Sequence, residues 1–133
     1  MNGKFVFAST AEKQELDRGT FLWISRPDLT GSRHLAVCYV EVAPGQGHGF
    51  HKHPAQDEVI HVIDGTMEQW LGTEMKTLKS GDSVFIPKDT VHASFNTGAS
   101  TLRVLAILGP CTGESGYESV DVNGEAPWNR LRG

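Results

Sequence analysis

Glycine and proline divide this sequence into short apolar segments. It contains 15 glycines and 6 prolines in 133 residues, and the segments between them show no long helical period. Short runs of aromatic and β-branched residues that end in turn-forming residues are typical of antiparallel strands. The sequence therefore predicts an all-β barrel or sandwich, with strands at residues 20–25, 33–42, 58–63, 66–71, 75–78, 83–86, 91–96 and 101–108.

The two ends of the chain carry weaker patterns. Residues 4–8 are a candidate outlying strand, and residues 11–19 are polar enough for a loop or one helical turn that carries no chemistry. From residue 109 onward the composition shifts to Gly, Ser, Glu and Pro, which predicts an extended tail over the barrel or over a partner subunit. We expect one domain, with N-terminal strands in residues 1–44, a barrel core in 45–108 and the tail in 109–133.

The charge of the chain indicates which classes of partner it can bind. The chain has 12 Lys and Arg against 16 Asp and Glu, and it has no basic cluster. We therefore expect a small-molecule substrate, and neither nucleic acid nor a membrane as a partner. The longest apolar run, residues 104–108, is too short to cross a bilayer, and the first ten residues lack a signal-peptide core. These features predict a cytoplasmic protein whose two cysteines, Cys38 and Cys111, stay free.

The stretch from residue 45 to residue 65 concentrates imidazoles and a carboxylate. Side chains on a strand alternate between its two faces, so His51 and His53 point the same way. Glu58 follows His53 at an odd offset, and an unbroken strand would turn it to the opposite face. The turn-like residues 54–56 can reset that alternation. We therefore expect Glu58 to join the two histidines from a neighbouring strand.

Two details of this stretch affect the choice of the carboxylate. Asp64-Gly65 suits a tight turn, so the three groups are predicted to lie on one hairpin. Gln56 and Asp57 are close enough in sequence to replace Glu58. Glu58 is preferred because its spacing to Gly65 fits the hairpin and because Asp57 would face outward.

A second segment, residues 81–96, supplies a third imidazole. It contains a glycine turn, a short apolar strand, a proline turn and then His92, whose side chain shares a face with Ser94 and Asn96. Three imidazole nitrogens and one carboxylate oxygen suit a divalent transition metal, and no sulfur ligand is offered. We expect one such ion per chain (Fe, Mn, Ni, Zn, Cu or Co), with the ligands His51, His53, Glu58 and His92.

Together the two segments resemble the two motifs of the cupin superfamily. The first motif is Gly, five residues, His-x-His, three or four residues, Glu, six residues, Gly. The second is Gly, five residues, Pro-x-Gly, two residues, His, three residues, Asn. The chain departs from the pattern at Asp89, where Gly is usual, and Asp tolerates a left-handed backbone. The matching residues are Gly45, His51, His53, Glu58 and Gly65, then Gly81, Pro87, His92 and Asn96.

The resemblance implies a single cupin domain over residues 1–133, folded as a jelly roll, also called a double-stranded β-helix. It also implies a metal-dependent enzyme that acts on a small molecule. A dioxygenase is favoured by a narrow margin over an isomerase, epimerase or lyase, and a non-catalytic metal- and ligand-binding barrel is the further alternative. A homodimer is expected from the family and from two apolar surfaces, at residues 59–63 and 21–24.

Three more histidines lie outside the four ligands. His48 precedes His51 by three residues, and an unbroken strand would turn it away from the metal, although Gly49 can break the alternation. It is the candidate proton-transfer residue, and the alternative is a solvated loop histidine. An isomerase needs such a group, whereas a dioxygenase can manage without it. His61 is expected as a packed or interface residue, and His34 at the barrel rim. The large aromatic residues are expected in the core rather than in a binding wall: Trp23, Trp70, Phe85 and Phe95.

Overall fold

The computed structural model describes residues 3–133 and contains eleven β-strands and two single helical turns. Every strand pairing is antiparallel, so the predicted all-β class is confirmed. The helical turns are α1 (Pro27–Thr30) and a 3₁₀ helix (Trp128–Arg130). The strands are β1 (Lys13–Leu16), β2 (Gly19–Ser25), β3 (Ala36–Val42), β4 (Gly47–Lys52), β5 (Asp57–Asp64), β6 (Thr66–Leu71), β7 (Glu74–Lys79), β8 (Ser83–Ile86), β9 (His92–Phe95), β10 (Leu102–Gly109) and β11 (Val120–Asp121).

The strands form two sheets whose neighbours are often distant in sequence. The six-stranded sheet has the order β1-β2-β3-β10-β5-β8, and the five-stranded sheet has the order β11-β4-β9-β6-β7. In the first sheet β10 lies between β3 and β5, with Leu102 opposite Val42 and Leu108 opposite Glu58. The chain therefore crosses between the sheets repeatedly, and groups from both sheets face the interior.

Alternation along the strands fills the space between the sheets with apolar side chains. On β3 the residues Ala36, Cys38, Val40 and Val42 are buried, and the residues between them are half-buried on the outer face. Each fully buried aliphatic or aromatic side chain contributes about 1.5–3 kcal/mol. The inner cluster consists of Trp23, Cys38, Val40, Val42, Ile60, Val62, Met67, Ile86, Leu102 and Val104.

A second apolar cluster lies on the outer face of the five-stranded sheet. Phe50 precedes the inward-facing His51 on β4, so its side chain points away from the interior. The C-terminal tail covers this face, because β11 pairs with β4 and Val122 N donates to Phe50 O at 3.0 Å. The tail therefore lies over its own barrel. The cluster contains Phe50, Val91, Ala93 and Val122, with Trp70, Phe95, Trp128 and Leu131 packed against them.

The predicted hairpin at Asp64-Gly65 is wrong. β5 ends at Asp64 in the six-stranded sheet, and β6 begins at Thr66 in the five-stranded sheet, where its partners are β7 and β9. Gly65 has φ +104, and a Cβ there would lie 3.0 Å from the Cα of Leu102. A glycine with positive φ can occupy either a hairpin turn or a corner at which the chain passes from one sheet to the other. The choice between the two depends on which distant strands β5 and β6 pair with.

The N-terminal expectations also need correction. Residues 4–8 form no strand, whereas residues 11–19 contain β1, which pairs with β2. The side chain of Gln14 on β1 accepts a hydrogen bond from Trp23 Nε1 at 3.1 Å. This contact attaches β1, which the sequence did not predict, to the core. β3 begins at Ala36, so the exposed His34 lies before the strand. Among residues 3–133 no helix has the length and apolar character needed to cross a membrane.

Candidate metal centre

Three buried imidazoles converge between the two sheets. His51 lies on β4, His53 just after its end, and His92 on the paired strand β9. One nitrogen of each ring lies within 4.8 Å of a nitrogen on each of the other two. Their exposed fractions are 4%, 5% and 1%. Lys52 points outward and forms an ion pair with Asp89 at 3.3 Å, as the alternation predicts.

Glu58 reaches this cluster from the opposite sheet. Its Oε1 atom lies 3.3 Å from His53 Nε2 and 3.0 Å from His92 Nε2, and the residue is 6% exposed. The turn at residues 54–55 resets the alternation as expected. Asp57 is exposed and accepts a hydrogen bond from Lys88 N. The buried Gln56 is directed into the C-terminal tail, so Glu58 is the carboxylate at the cluster.

Backbone carbonyls fix the orientation of each imidazole. The Nδ1 atoms of His51, His53 and His92 lie 2.6, 2.6 and 2.9 Å from the carbonyl oxygens of Gly49, Glu118 and Thr90, respectively. A carbonyl oxygen can only accept, so each Nδ1 carries the proton and each Nε2 keeps its lone pair. Metal-binding histidines use this arrangement, in which the second nitrogen is held by an acceptor.

Two buried atoms of the cluster have no hydrogen-bond partner. They are Glu58 Oε1 and His92 Nε2, which face each other at 3.0 Å. A carboxylate oxygen and an imidazole lone pair repel at this distance unless a proton or a cation lies between them. Leaving both unsatisfied would cost about 1–3 kcal/mol for each group. A divalent cation would satisfy both, so these residues fit a metal ion.

The electrostatics of the cluster keep Glu58 ionised and His51 neutral near pH 7. Burial raises the pKa of Glu58, but the adjacent imidazoles of His53 and His92 outweigh this effect and lower the pKa to about 2. Burial and the neighbouring imidazoles hold the pKa of His51 well below 6.5. Burial acts to lower the pKa of His53, yet the adjacent Glu58 carboxylate gives a net increase.

A bulge brings His48 to the same interior. The pairing of β4 with β9 shifts register between His48 and His51, which removes one step of the alternation. The two rings stack with centroids 3.5 Å apart. Burial, and then the charge of Arg18, lower the pKa of His48 to about 3, so the ring is neutral at pH 7. The strand is broken near Gly49 as the sequence allowed.

The cluster opens into a cavity with mostly apolar walls. Phe21, Trp23 and Val40 belong to the six-stranded sheet and Met67 to the other sheet. The cavity volume is about 80 Å³, and one water molecule needs about 10–15 Å³ on that scale. The space therefore suits a small organic molecule.

Two polar cavity residues were missed by the sequence analysis. Arg18 lies in the turn between β1 and β2, within a segment expected to carry no chemistry, and Tyr117 belongs to the tail. Arg18 Nη2 donates a hydrogen bond to Tyr117 Oη at 3.2 Å across 99 positions of sequence. No local pattern marks either residue, because folding alone brings these segments together.

The other residues singled out in the sequence lie elsewhere. His61 faces outward with Nδ1 2.7 Å from Ser83 Oγ, and Ser94 lines the cavity. The buried Asn96 donates to the carbonyls of Val42 and Ser100, which is a structural role. Of the four large aromatic residues, Trp23 lies in the inner cluster, Trp70 and Phe95 lie in the outer cluster, and Phe85 is 57% exposed.

Comparison with known proteins gives a family match over the two motifs. The model of the Cupin domain family matches residues 38–108. Protein SchB of Streptomyces halstedii is 34% identical over 63% of this chain and 61% of its own length. Polyketide synthase CurC of Streptomyces cyaneus is 31% identical over 96% of this chain and 81% of its own length.

A solved structure has the same fold at lower sequence identity. KdgF from Halomonas sp. superposes with a TM-score of 0.73 and is 21% identical, over 84% of this chain and 96% of that chain. At this identity the likeness concerns the fold alone. It confirms the predicted two-sheet jelly roll, in which the motif residues of this chain occupy the interior.

Proposed function

The chain belongs to the cupin family, and on that premise we propose that it is a metal-dependent enzyme acting on a small enolisable carbonyl compound. The observation that carries the proposal is the convergence of three buried imidazoles on the buried Glu58 carboxylate in the wall of an apolar cavity. His51, His53, Glu58 and His92 would hold one divalent transition metal ion. When bound, such an ion supplies Lewis-acid polarisation of substrate oxygens, and iron or copper would add redox chemistry.

The substrate class follows from the cavity and from the relative of similar length. CurC is named a polyketide synthase protein, and polyketides contain carbonyl groups on alternate carbons. The carbon between two carbonyls is acidic, so such compounds enolise readily. Apolar walls exclude water from this carbon and strengthen every electrostatic contact with it. A compact β-dicarbonyl compound is therefore the proposed substrate type.

His48 is the proposed proton acceptor. Its ring is held by stacking on His51 and lines the cavity. It is neutral at pH 7 and can accept a proton from the substrate carbon. Negative charge that develops on the substrate would stabilise the resulting imidazolium and raise its pKa. A proton carrier beside the cluster is what an isomerase, lyase or cyclase requires, so non-redox chemistry is the first candidate.

A dioxygenase is the second candidate, and one observation favours it. A pKa of about 3 makes His48 a weak base at neutral pH. Two other cavity residues of the described chain are unsuitable as bases. Ser94 is a poor base at neutral pH, and Glu58 lies against the imidazoles as a proposed metal ligand. A substrate that enters already ionised as its enolate needs no base from the protein. Its oxidation by dioxygen, with the redox chemistry that bound iron or copper would supply, suits this environment.

Proton exchange distinguishes the two candidates. Metal-loaded protein is mixed with pentane-2,4-dione in D₂O, and loss of the central C–H signal is followed by NMR under argon and under air. A dioxygen electrode records consumption in parallel. We expect exchange at least tenfold faster than in buffer, equal under both gases, with no dioxygen consumed. Substrate loss that matches dioxygen uptake would instead favour the dioxygenase.

Two substitutions test the role of His48. His48→Ala should bind metal normally and lose at least tenfold of the enzyme-catalysed exchange, because general base catalysis typically contributes 10²–10⁴-fold. The exposed His34→Ala is the matched control and should behave as wild type. Undiminished exchange in His48→Ala would exclude His48 as the proton acceptor.

A further inference from the structure

Arg18 brings a positive charge to the same cavity that holds the imidazoles. The residue lies in the turn between β1 and β2, and its half-buried side chain lines the cavity together with His48 and Tyr117. The guanidinium carbon lies 5.3 Å from the centroid of the Phe21 ring, and Nη2 donates to Tyr117 Oη. Its position is therefore held by an aromatic face and a hydroxyl group.

This guanidinium has no carboxylate partner within the described part of the chain. None of the ion pairs within 4.0 Å in residues 3–133 includes Arg18, and its Nε atom is buried without a hydrogen-bond partner. Arg26 provides the contrast, since it also packs against an aromatic ring, that of Trp23. Its guanidinium lies 2.9 Å from Glu12 and 3.0 Å from Asp28. The fold neutralises one of these cations and leaves the other facing the cavity.

An unpaired, partly buried guanidinium favours an anion that enters the cavity. Arginine presents planar N–H donors that match the two oxygens of a carboxylate. Tyr117 Oη accepts from Arg18, so its own hydrogen remains available for a second acceptor. The Tyr117 ring stacks on Trp23 at 5.5 Å, which fixes the direction of that hydroxyl. Arg18 and Tyr117 thus offer N–H and O–H donors beside an apolar wall, which are the groups that a small carboxylate would need.

We propose that the substrate is an organic carboxylate whose acid group binds Arg18 and Tyr117 while its reacting end lies at the three-histidine cluster. This inference rests on the proposed function and adds the substrate class to it. Binding the carboxylate at one end would orient the molecule and place its reacting carbon beside His48.

Calorimetric titration tests the assignment with a matched pair of probes. Succinate and its dimethyl ester have the same carbon skeleton and differ in charge. Wild-type protein, as purified, should bind succinate at least tenfold more tightly than the ester. Arg18→Gln should lose at least tenfold in succinate affinity and less than twofold in ester affinity. Tyr117→Phe should lose about three- to tenfold in succinate affinity and nothing in ester affinity. This second variant keeps the test decisive if Arg18→Gln fails to fold.

Arg130→Gln is the matched control, because it removes the same charge from an exposed position outside the cavity. It should leave both affinities unchanged. Equal binding of the two probes to wild type, no binding of either, or a preference that survives in Arg18→Gln would overturn the proposal. Tighter binding of inorganic phosphate than of succinate would overturn the choice of a carboxylate.

Metal analysis of the same samples separates this inference from the proposed function. Protein that holds no metal but shows the Arg18-dependent preference would refute the proposed function and support the carboxylate site. Protein that holds metal and catalyses proton exchange but shows no preference would refute the carboxylate site alone.

Discussion

At the level of single residues, the orientation of three imidazole rings determines what the site can bind. Each Nδ1 donates to a backbone carbonyl, which leaves each Nε2 available to a ligand. The Nε2 atoms of His53 and His92 lie 3.3 and 3.0 Å from Glu58 Oε1. The acceptors come from β4, the tail and the turn before β9. Because all three are main-chain atoms, the direction of each ring depends on the backbone fold rather than on another side chain.

His92→Ala is predicted to lower metal affinity at least tenfold. The substitution removes one of the nitrogens in the cluster, and disturbance of merely supporting groups already costs about 10–100-fold at such sites. Elemental analysis after dialysis against a competing chelator measures the loss. The outward-facing His61→Ala is the control and should retain full occupancy. Equal metal content in the two variants would contradict the ligand assignment.

Cys38 is predicted to resist alkylation in the folded protein. Burial raises the pKa of its thiol from 9.0 to about 12, so at pH 8 about one thiol in ten thousand is ionised. Because the pKa of the Cys38 thiol is higher in the folded than in the unfolded protein, its contribution to folding stability is complete below pH 9. That contribution is lost as the pH rises from 9 to 12. Mass spectrometry after iodoacetamide treatment at pH 8 should find Cys38 unmodified, with full labelling in denaturant. Rapid labelling of folded protein would contradict the burial of this thiol.

At the level of elements, the tail segment after β10 completes the site. Gln56 Nε2 donates to the carbonyls of Pro110 and Gly116, each at 2.9 Å, and its Oε1 accepts from Glu118 N at 3.2 Å. The carbonyl of Glu118 in turn holds His53 Nδ1. One buried amide thus connects the start of β5 to the segment that orients a cluster histidine.

Gln56→Ala is predicted to weaken metal binding about tenfold through His53. It should also reduce the free energy of unfolding by about 1–3 kcal/mol, since buried carbonyls lose their donor. Chelator competition and denaturant titration measure the two effects. Gln46→Ala is the control, because Gln46 accepts a hydrogen bond from an exposed loop amide. A loss of stability without any change in metal affinity would show that the tail does not orient His53.

The turn before β9 shows how an element tolerates a departure from the family motif. Asp89 occupies the usual glycine position with φ +61, the conformation expected from the sequence. Asp adopts this conformation at modest cost, and its carboxylate pairs with Lys52. Asp in place of Gly therefore does not change the course of the backbone that leads to His92 at the start of β9.

At the level of the whole molecule, β5 and β8 carry exposed apolar residues on the outer face of the six-stranded sheet. Val59 on β5 lies opposite Phe85 on β8, and Ile63 and Phe85 are 46% and 57% exposed. The tail covers the outer face of the other sheet but leaves this one open. Large apolar side chains left exposed on one edge of a sheet are typical of protein interfaces.

We predict a homodimer that buries this face. Light scattering at tens of micromolar protein should give twice the chain mass of 14.5 kDa. Phe85→Glu should shift the protein to monomers, because a dimer would bury the new charge without a partner. Met75→Glu, at a 45% exposed position on β7 of the other sheet, is the control and should remain dimeric. A monomeric wild type would refute the prediction.

Features of the site that depend on local geometry could be predicted from the amino-acid sequence. Period-two alternation placed His51 and His53 on one face, and the turn at residues 54–56 explained how Glu58 could join them. The spacing of the two motifs identified the fold through its family. Asp89 occupies the glycine position of the motif, and Asp tolerates the left-handed backbone that the structure shows there. Each of these follows from interactions within a few residues of the chain.

Which distant segments meet could not be predicted, because it depends on how the complete chain packs. The tertiary structure separated β5 from β6 at Gly65, turned His48 inward through a bulge, and brought Arg18 and Tyr117 to the cavity. Strand pairing depends on contacts between residues far apart in sequence, which local propensity does not encode. A polar turn and an irregular tail carry no periodicity, so their place beside the three histidines was set by packing against the finished barrel.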